Sequence, residues 1–227
     1  MFKRIQLELP KFEAEMIPGV GRHYRTPDGS LYPSVTTVMS YESKQSIQEW
    51  RKRVGEAEAD KISNQAATRG TKIHDHCENY LLNEEIDTTN LSLLDKQMWD
   101  RFQPQLDNIS NIHALEDPLF SHHLRMAGRV DCISEWEGKL SVVDFKTSRK
   151  LKKKEWISSY FMQCTAYAIM FEEMTGIPVP QIVVAITVEG EFPQIFVEKR
   201  DHYTKQLLNL RLEYERHSKI YDNTRAS

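Results

Sequence analysis

Residues 128–133 (GRVDCI) and residues 142–148 (VVDFKTS) carry the most informative pattern in this sequence. Each segment is rich in the apolar and β-branched residues that favour strands. The polar break between them contains Glu137-Gly138, which predicts a tight turn. Two strands joined by a tight turn pair antiparallel, so Asp131 and Asp144 are expected to lie close together.

The two aspartates and a nearby lysine indicate a site for a divalent cation. Like charges held close together repel unless a cation lies between them, and Mg²⁺ or Mn²⁺ suits an oxygen-rich site. Asp144 and Lys146 are two residues apart, so on a strand they share a face, and Lys146 could orient water or neutralise phosphate charge. The residues alone also allow solvated aspartates at strand ends and a simple Lys146–Asp144 salt bridge.

Polar residues in two predicted helices are further candidates for this site. Gln163 and Tyr167 are four residues apart and therefore share a helix face, although a tyrosine on an amphipathic helix is usually part of the core. His74 follows Arg69-Gly70-Thr71-Lys72-Ile73 and could complete the sphere of metal ligands. A lone histidine is more often structural, so its spacing alone leaves both roles open.

A basic run follows the second strand directly, over residues 149–154 (RKLKKK). Such a run is usually a solvated loop, but this one lies where a phosphate backbone would pass the proposed metal site. Lys150, Lys152 and Lys153 are therefore candidate contacts to DNA. Trp156 and Tyr160, just beyond them, and Trp50 are candidates for stacking against bases.

The composition is that of a globular protein without disulfides. The 227 residues are 40% hydrophobic and 28% charged, with a net charge of −3, so nucleic acid would have to bind a local basic surface. The three cysteines are widely spaced, which argues against a disulfide scaffold, a zinc ribbon or an iron–sulfur cluster. No apolar run reaches the ~20 residues of a membrane span, and the N-terminus lacks a signal-peptide pattern. We therefore expect a reducing, cytoplasmic location and no membrane partner.

The pattern along the chain predicts an α/β fold of the mixed-sheet, α+β kind. A hairpin is expected at residues 22–33, turning at Pro27-Asp28-Gly29, and a helix is expected to start after Ser34 as its cap. Pro104 should bend or end its helix early. The remaining predicted elements are helices at 46–63, 66–82, 92–108, 153–174 and 203–220, and strands at 112–120, 123–135, 139–146, 181–188 and 194–198.

Taken together, these residues resemble the PD-(D/E)XK nuclease superfamily and, within it, the RecB-like exonuclease branch. Four blocks occur in the order typical of that family. They are Gly-Thr-x-x-His (Gly70 to His74), Gly-x-x-Asp (Gly128 to Asp131), Asp-x-Lys (Asp144 to Lys146) and Gln-x-x-x-Tyr (Gln163 to Tyr167). Residues 32–38 (YPSVTTV) are also similar to the N-terminal signature of mitochondrial genome maintenance exonucleases and their phage relatives. The resemblance spans roughly residues 22–190.

The resemblance implies a restriction-endonuclease-like core within one nuclease domain over residues 1–227. Residues 1–110 would form a mainly helical N-terminal part, and residues 111–227 would form the sheet and its flanking helices. It also implies a role for each candidate residue. His74, Asp131, Asp144 and the Phe145 carbonyl would bind Mg²⁺ or Mn²⁺, Asp131, Asp144 and Lys146 would be catalytic, and Gln163, Tyr167 and Ser34 would contact DNA or hold the catalytic strand. Glu116 lies on the preceding strand, where relatives can carry a glutamate.

The activity implied by the resemblance is that of a metal-dependent DNA exonuclease without an iron–sulfur cluster. Its preferred substrate would be single-stranded DNA, in phage DNA metabolism or in replication, recombination or repair, with proteins of those processes as partners. Two alternatives stay open. A structure-selective endonuclease would use the same core in an open cleft, and a non-catalytic DNA-binding accessory protein would keep only the fold.

Overall fold

The structure is a computed structural model that describes residues 1–218. Within those residues the chain forms five α-helices, a three-stranded antiparallel sheet and a five-stranded mixed sheet. The helices are α1 (Val35–Val54), α2 (Glu56–Leu81), α3 (Leu93–Leu106), α4 (Ser158–Thr175) and α5 (Thr204–His217). The strands are β1 (Ala14–Ile17), β2 (Gly21–Arg25), β3 (Leu31–Pro33), β4 (Ile109–Ser121), β5 (Met126–Trp136), β6 (Lys139–Ser148), β7 (Gln181–Val188) and β8 (Gln194–Lys199).

The central sheet has the strand order β4-β5-β6-β7-β8. All neighbours are antiparallel except β6 and β7, which are parallel and are connected through α4. Parallel neighbours need such a crossover because a hairpin cannot join them. This confirms the predicted α/β class with a mixed sheet. Among the described residues, each helix is too short or too polar to span a lipid bilayer.

Apolar residues alternate along the central strands and build a core on each face of the sheet. Val142 and Val184 belong to the core under α4, whereas Val143 and Val183 belong to the core under α2 and α3. Helix α4 is buried along most of its length because the sheet lies on one side of it and α1 and α5 pack on the other. Gly176 ends α4 in the left-handed conformation, with φ of 75°.

The N-terminal part differs from the prediction in two places. Residues 22–33 do form the predicted hairpin, but β1 adds a third strand to it, so a small three-stranded sheet precedes α1. The predicted break between residues 63 and 66 is wrong, because the chain turns at Gly55 (φ of 87°) and α2 continues through Gly70. Glycine adopts this backbone conformation without the steric cost of a side chain.

Other predicted boundaries shift by a few residues for local reasons. Ser34 caps α1 as expected, since its side chain accepts a hydrogen bond from the Thr37 backbone. Pro104 lies within α3, which ends two residues later. Helix α4 starts at Ser158 rather than near Lys153, because a short 3₁₀ turn at Lys154–Trp156 precedes it. The last predicted residues of the C-terminal helix, 219–220, lie outside the described residues, as does the end of the predicted domain.

Candidate active site

The site lies where β5 and β6 separate. Their pairing runs from Trp136 opposite Lys139 to Cys132 opposite Val143 and stops there. Two residues further along β6, the Phe145 N–H donates to the Asp131 side-chain carboxylate at 2.8 Å instead of to a backbone carbonyl of β5. On an antiparallel strand, the N–H and C=O of one residue point to the same side. The Phe145 carbonyl therefore faces the same gap as Asp131.

Glu116 on β4 stands at the register position opposite Asp131. The pairs on either side of it are Leu115 with Cys132 and Asp117 with Val130. Glu116 itself has a φ of 50°, a conformation that costs free energy for a residue with a side chain and that clusters at functional sites. Glu116, at the irregular backbone of β4, and Asp131, where β5 stops pairing with β6, therefore lie opposite each other.

Three side chains from different elements form a cluster with the geometry of a metal site. Ligand atoms of His74, Glu116 and Asp131 all lie within 4.8 Å of one another. His74 Nδ1 is 3.6 Å from Asp131 Oδ2. One imidazole and two carboxylates form a donor set that suits a divalent cation such as Mg²⁺ or Mn²⁺. The structure thus brings the predicted His74 and Asp131 together and adds Glu116.

The electrostatics of this cluster favour a cation. Burial raises the pKa of Glu116 to about 8, and the negative charges of Asp131 and Glu78 act in the same direction. Carboxylates crowded in this way repel one another unless positive charge is placed between them. A bound cation would neutralise this repulsion.

Asp144 lies beside the cluster and is held by two partners. Its Oδ1 accepts a hydrogen bond of 3.0 Å from Gln163 Nε2, and Lys146 Nζ lies 2.5 Å from its Oδ2. Burial raises the pKa of Asp144 and Asp131 adds to that effect, against the opposing charge of Lys146. Burial alone would lower the pKa of Lys146, but Asp144 and Asp131 raise it, so the ammonium stays charged. The Asp144–Lys146 salt bridge that the spacing allowed as an alternative is present, with the lysine side chain 19% exposed.

His74, Glu116, Asp131 and Lys146 line a cavity of about 560 Å³, whereas Asp144 is buried behind it. Helix α2 presents one face to it, because Gly70, His74 and Glu78 are four residues apart. The cationic side chains of Arg22, Arg129 and Lys146 share the cavity with the acidic cluster. The remaining lining residues are Tyr24, Ser34, Thr36, Thr71, Asp75, Glu116, Gly128, Asp131, Gln163 and Tyr167.

The other predicted site residues fall into two groups. Gln163 and Tyr167 line the cavity from α4, and both are buried, Gln163 with its amide on Asp144. Ser34, the N-cap of α1, also lines the cavity. Lys150, Lys152 and Lys153 do not line the cavity and lie on the loop after β6. Arg22 and Tyr24 did not stand out in the sequence, because only the folding of the small sheet onto β5 brings them to the cavity wall. Thr36, on the first turn of α1, belongs to the YPSVTTV segment and also lines the cavity.

Close packing against Tyr167 explains why the first residue of the Gly-x-x-Asp block, Gly128, is a glycine. A Cβ atom at Gly128 would lie 2.9 Å from both Cε1 and the hydroxyl oxygen of Tyr167, which is closer than real contacts allow. Tyr167 is only 3% exposed and is enclosed by the core, so it has little room to move. Gly128 thus lets α4 approach β5 beside the acidic cluster.

We expect Gly128→Ala to destabilise the protein by about 1–3 kcal/mol, the usual cost of overpacking a core. Gly70→Ala is the matched control. Its Cβ would meet nothing closer than Thr147 Oγ1 at 4.0 Å, and alanine within a helix should stabilise by about 0.5–1 kcal/mol. Urea unfolding of both variants measures the two effects. Equal stability of Gly128→Ala and the wild type would contradict the packing argument.

Comparisons with known proteins agree with this geometry. A family model described as the PD-(D/E)XK nuclease superfamily matches residues 43–207. Mitochondrial genome maintenance exonuclease 1 of Homo sapiens is 30% identical over 150 residues, which cover 61% of this chain and 43% of that protein. The Mus musculus protein of the same name is 29% identical over 128 residues, covering 53% of this chain and 38% of its own length. The chain thus spans about two fifths of the length of these curated relatives.

A solved structure shares the fold at lower sequence identity. The crystal structure of a candidate exonuclease from Eubacterium rectale matches with a TM-score of 0.50 and 15% identity. The match covers 70% of this chain and 68% of that chain. At this identity the likeness concerns the fold alone, and it agrees with a restriction-endonuclease-like core.

Proposed function

Because this chain belongs to the PD-(D/E)XK nuclease superfamily, we propose that it is a Mg²⁺- or Mn²⁺-dependent DNA exonuclease that acts on single strands. The observation that carries the proposal is the cluster of His74, Glu116 and Asp131 in the cavity, with Lys146 beside it. The similarity to mitochondrial genome maintenance exonuclease 1 supports an exonuclease in replication, recombination or repair, with proteins of those processes as partners. A phage origin is a further part of this proposal.

The proposed ligands of the cation are His74, Asp131, Asp144 and the Phe145 carbonyl, and the cluster of His74, Asp131 and Glu116 supports Glu116 as a further ligand. A divalent cation in such a site supplies Lewis-acid stabilisation of phosphate charge and lowers the pKa of a water molecule. Asp131 keeps β5 and β6 in register by accepting the Phe145 N–H. Gln163 holds Asp144 through its amide, and this contact makes it a positioning residue for the carboxylate.

Lys146 is the proposed catalytic lysine. Its ammonium is tied to Asp144 and remains partly exposed toward the cavity, so it can reach an attacking water or a phosphate oxygen. Arg22 and Arg129 would add positive charge around the phosphate from β2 and β5. Among the candidate DNA contacts, Ser34 and Tyr167 lie in the cavity wall, and Lys150, Lys152 and Lys153 lie outside it.

The similarity to mitochondrial genome maintenance exonuclease 1 supports the exonuclease over the endonuclease alternative. The cavity is lined by residues of β2, the start of α1, α2, β4 to β6 and α4. An exonuclease needs a free end, which a circular strand lacks. The accessory-protein alternative is less favoured, because the acidic cluster and Lys146 together provide the residue types that metal-assisted phosphodiester cleavage uses.

With Mg²⁺ or Mn²⁺ present, we expect linear single-stranded DNA to be degraded and a circular single strand of the same sequence to persist. End-labelled linear strands, one label at each end, measure the activity and its direction, and EDTA should stop the cleavage. Rapid cutting of the circle would favour the endonuclease alternative and leave the metal site standing. Intact linear DNA under all these conditions would contradict the proposed function itself.

A further inference from the structure

Two aromatic side chains are exposed outside the cavity, each with a cation over its ring. Trp156 is 63% exposed and Phe192 is 78% exposed. Lys153 Nζ lies 5.1 Å from the Trp156 ring centroid, and Arg101 Cζ lies 5.5 Å from that of Phe192. Several large apolar side chains are exposed within residues 1–218, and Trp156 and Phe192 are the aromatic ones. Exposed rings with stacked cations are a recurring feature of ligand-recognition surfaces.

The two rings belong to loops that leave the same edge of the sheet. Trp156 lies between β6 and α4, and Phe192 lies between β7 and β8. Because β6 and β7 are parallel, both loops start at the same edge. The Gln194 side chain joins them, since its Oε1 accepts the Lys152 N–H at 2.7 Å and its Nε2 donates to the Lys152 carbonyl at 3.0 Å.

A further contact fixes the cation over Phe192. Arg101 on α3 donates through Nη1 to the Glu191 carbonyl at 3.1 Å, which holds the guanidinium beside the turn that carries the ring. These loops are therefore attached to one another and to α3. Because these hydrogen bonds already order the loops that carry the rings, less conformational entropy is lost when a ligand binds.

The charge around the rings favours an anionic ligand. Lys150, Lys152 and Lys153 form no ion pair with another residue of the described part of the chain, whereas Lys154 pairs with Glu198 and Arg149 lies 3.9 Å from Glu189. Glu155 and Glu191 are acidic residues on the same loops. Open ring faces next to unpaired lysines match the bases and phosphates of an unpaired strand, because a duplex hides its base faces.

Local contacts connect the loop that carries Trp156 with Lys146 on β6. Lys146 Nζ lies 5.4 Å from the Tyr160 ring centroid, and the Tyr160 N–H donates to the Ile157 carbonyl at 3.0 Å. Ile157 directly follows Trp156. The chain of contacts from the catalytic strand to the exposed tryptophan is therefore short.

We propose that Trp156, Lys153, Phe192 and Arg101 form an aromatic platform that stacks the bases of single-stranded DNA outside the catalytic cavity. This inference rests on the proposed function, since it assigns the path of the strand beyond the site of cleavage. The platform would hold the part of the strand that is not in the cavity. Its contribution should therefore appear with long strands and fade with strands that fill only the cavity.

Tryptophan fluorescence tests the platform directly. Of the four tryptophans, Trp99 and Trp136 are buried and Trp50 is half-buried, so Trp156, at 63% exposure, is the one most open to a stacked base. We expect an oligothymidylate of about 16 nucleotides, added in EDTA to prevent cleavage, to quench the wild-type emission. Trp156→Phe should lose most of this quenching. Quenching that is absent in the wild type, or undiminished in Trp156→Phe, would overturn the platform.

Affinity provides the second measurement. Trp156→Ala and Phe192→Ala should each weaken binding of that strand by about 5-fold or more, the effect of losing one base–aromatic stack, and should affect an oligomer of about 4 nucleotides much less. Trp156→Phe should restore most of the affinity because it keeps a ring face. Leu212→Ala, at an exposed apolar position of α5, is the matched control and should bind both lengths as the wild type does.

The outcomes separate the two proposals. Thermal unfolding first establishes that each surface variant folds as the wild type does. If the wild type degrades linear strands and the alanine variants bind the long strand normally, the platform is wrong and the exonuclease proposal stands. If the wild type neither binds nor degrades single strands with Mg²⁺ or Mn²⁺, the proposed function is wrong and the platform falls with it.

Discussion

Asp131→Asn is expected to reduce cleavage by about 10³-fold or more, a loss of about 4 kcal/mol of transition-state stabilisation. Asparagine keeps an oxygen that can accept the Phe145 N–H, so β5 and β6 should stay joined. It removes the negative charge that faces His74 and Glu116, on which the affinity for a divalent cation depends. Mn²⁺ binding, measured by calorimetric titration, and the single-turnover cleavage rate should therefore both fall.

The same substitution should leave the metal-free protein at least as stable as the wild type. Asp131 and Glu116 repel each other in a buried cluster, and neutralising one of them relieves that repulsion. Urea unfolding in EDTA measures this effect. A variant that loses activity because it unfolds would instead show a lower free energy of unfolding in EDTA.

Asp117→Asn is the matched control for this prediction. Asp117 is also a buried carboxylate on β4, but it pairs with Lys11 and accepts the Leu115 N–H away from the cavity. Cleavage by Asp117→Asn should stay near the wild-type rate. If Asp131→Asn cleaves as well as Asp117→Asn, the acidic cluster does not serve the reaction.

The sequence was most informative where the chemistry and the local geometry depend on adjacent residues. The Glu137-Gly138 turn between two apolar segments is enough to pair β5 with β6, and that pairing brings Asp131 near Asp144. The i, i+4 spacing of Gln163 and Tyr167 is enough to place both on one face of α4. These are short-range relations, so alternation and turn chemistry predict them without a tertiary structure.

The parts that the sequence could not predict depend on long-range packing. The left-handed backbone at Glu116 has no local signal, because a glutamate rarely adopts that conformation and only the surrounding strands hold it there. Arg22 and Tyr24 reach the cavity because the small N-terminal sheet folds against β5. The break at Gly55 was hidden because strong helix-forming residues surround it on both sides.

Lys146→Ala is expected to lower the single-turnover rate by about 10²-fold or more, the scale of removing one well-placed electrostatic stabiliser. Mn²⁺ binding should remain largely intact, because Lys146 is not among the proposed ligands. This combination distinguishes the lysine from Asp131, whose replacement should remove both. Lys11→Ala is the matched control, since Lys11 also pairs with an aspartate but lies away from the cavity.

The remaining alternative is that Lys146 serves only as the salt-bridge partner of Asp144. Asp144 is 1% exposed, so Lys146→Ala leaves a buried carboxylate with Gln163 as its remaining partner and should also lower stability in EDTA. Lys146→Arg separates the two roles, because it keeps the positive charge but presents a planar group of different reach. We expect urea unfolding of Lys146→Arg to recover much of the lost stability while its cleavage rate stays low. Recovery of the wild-type rate by arginine, or a wild-type rate in Lys146→Ala, would reduce Lys146 to a structural counter-charge.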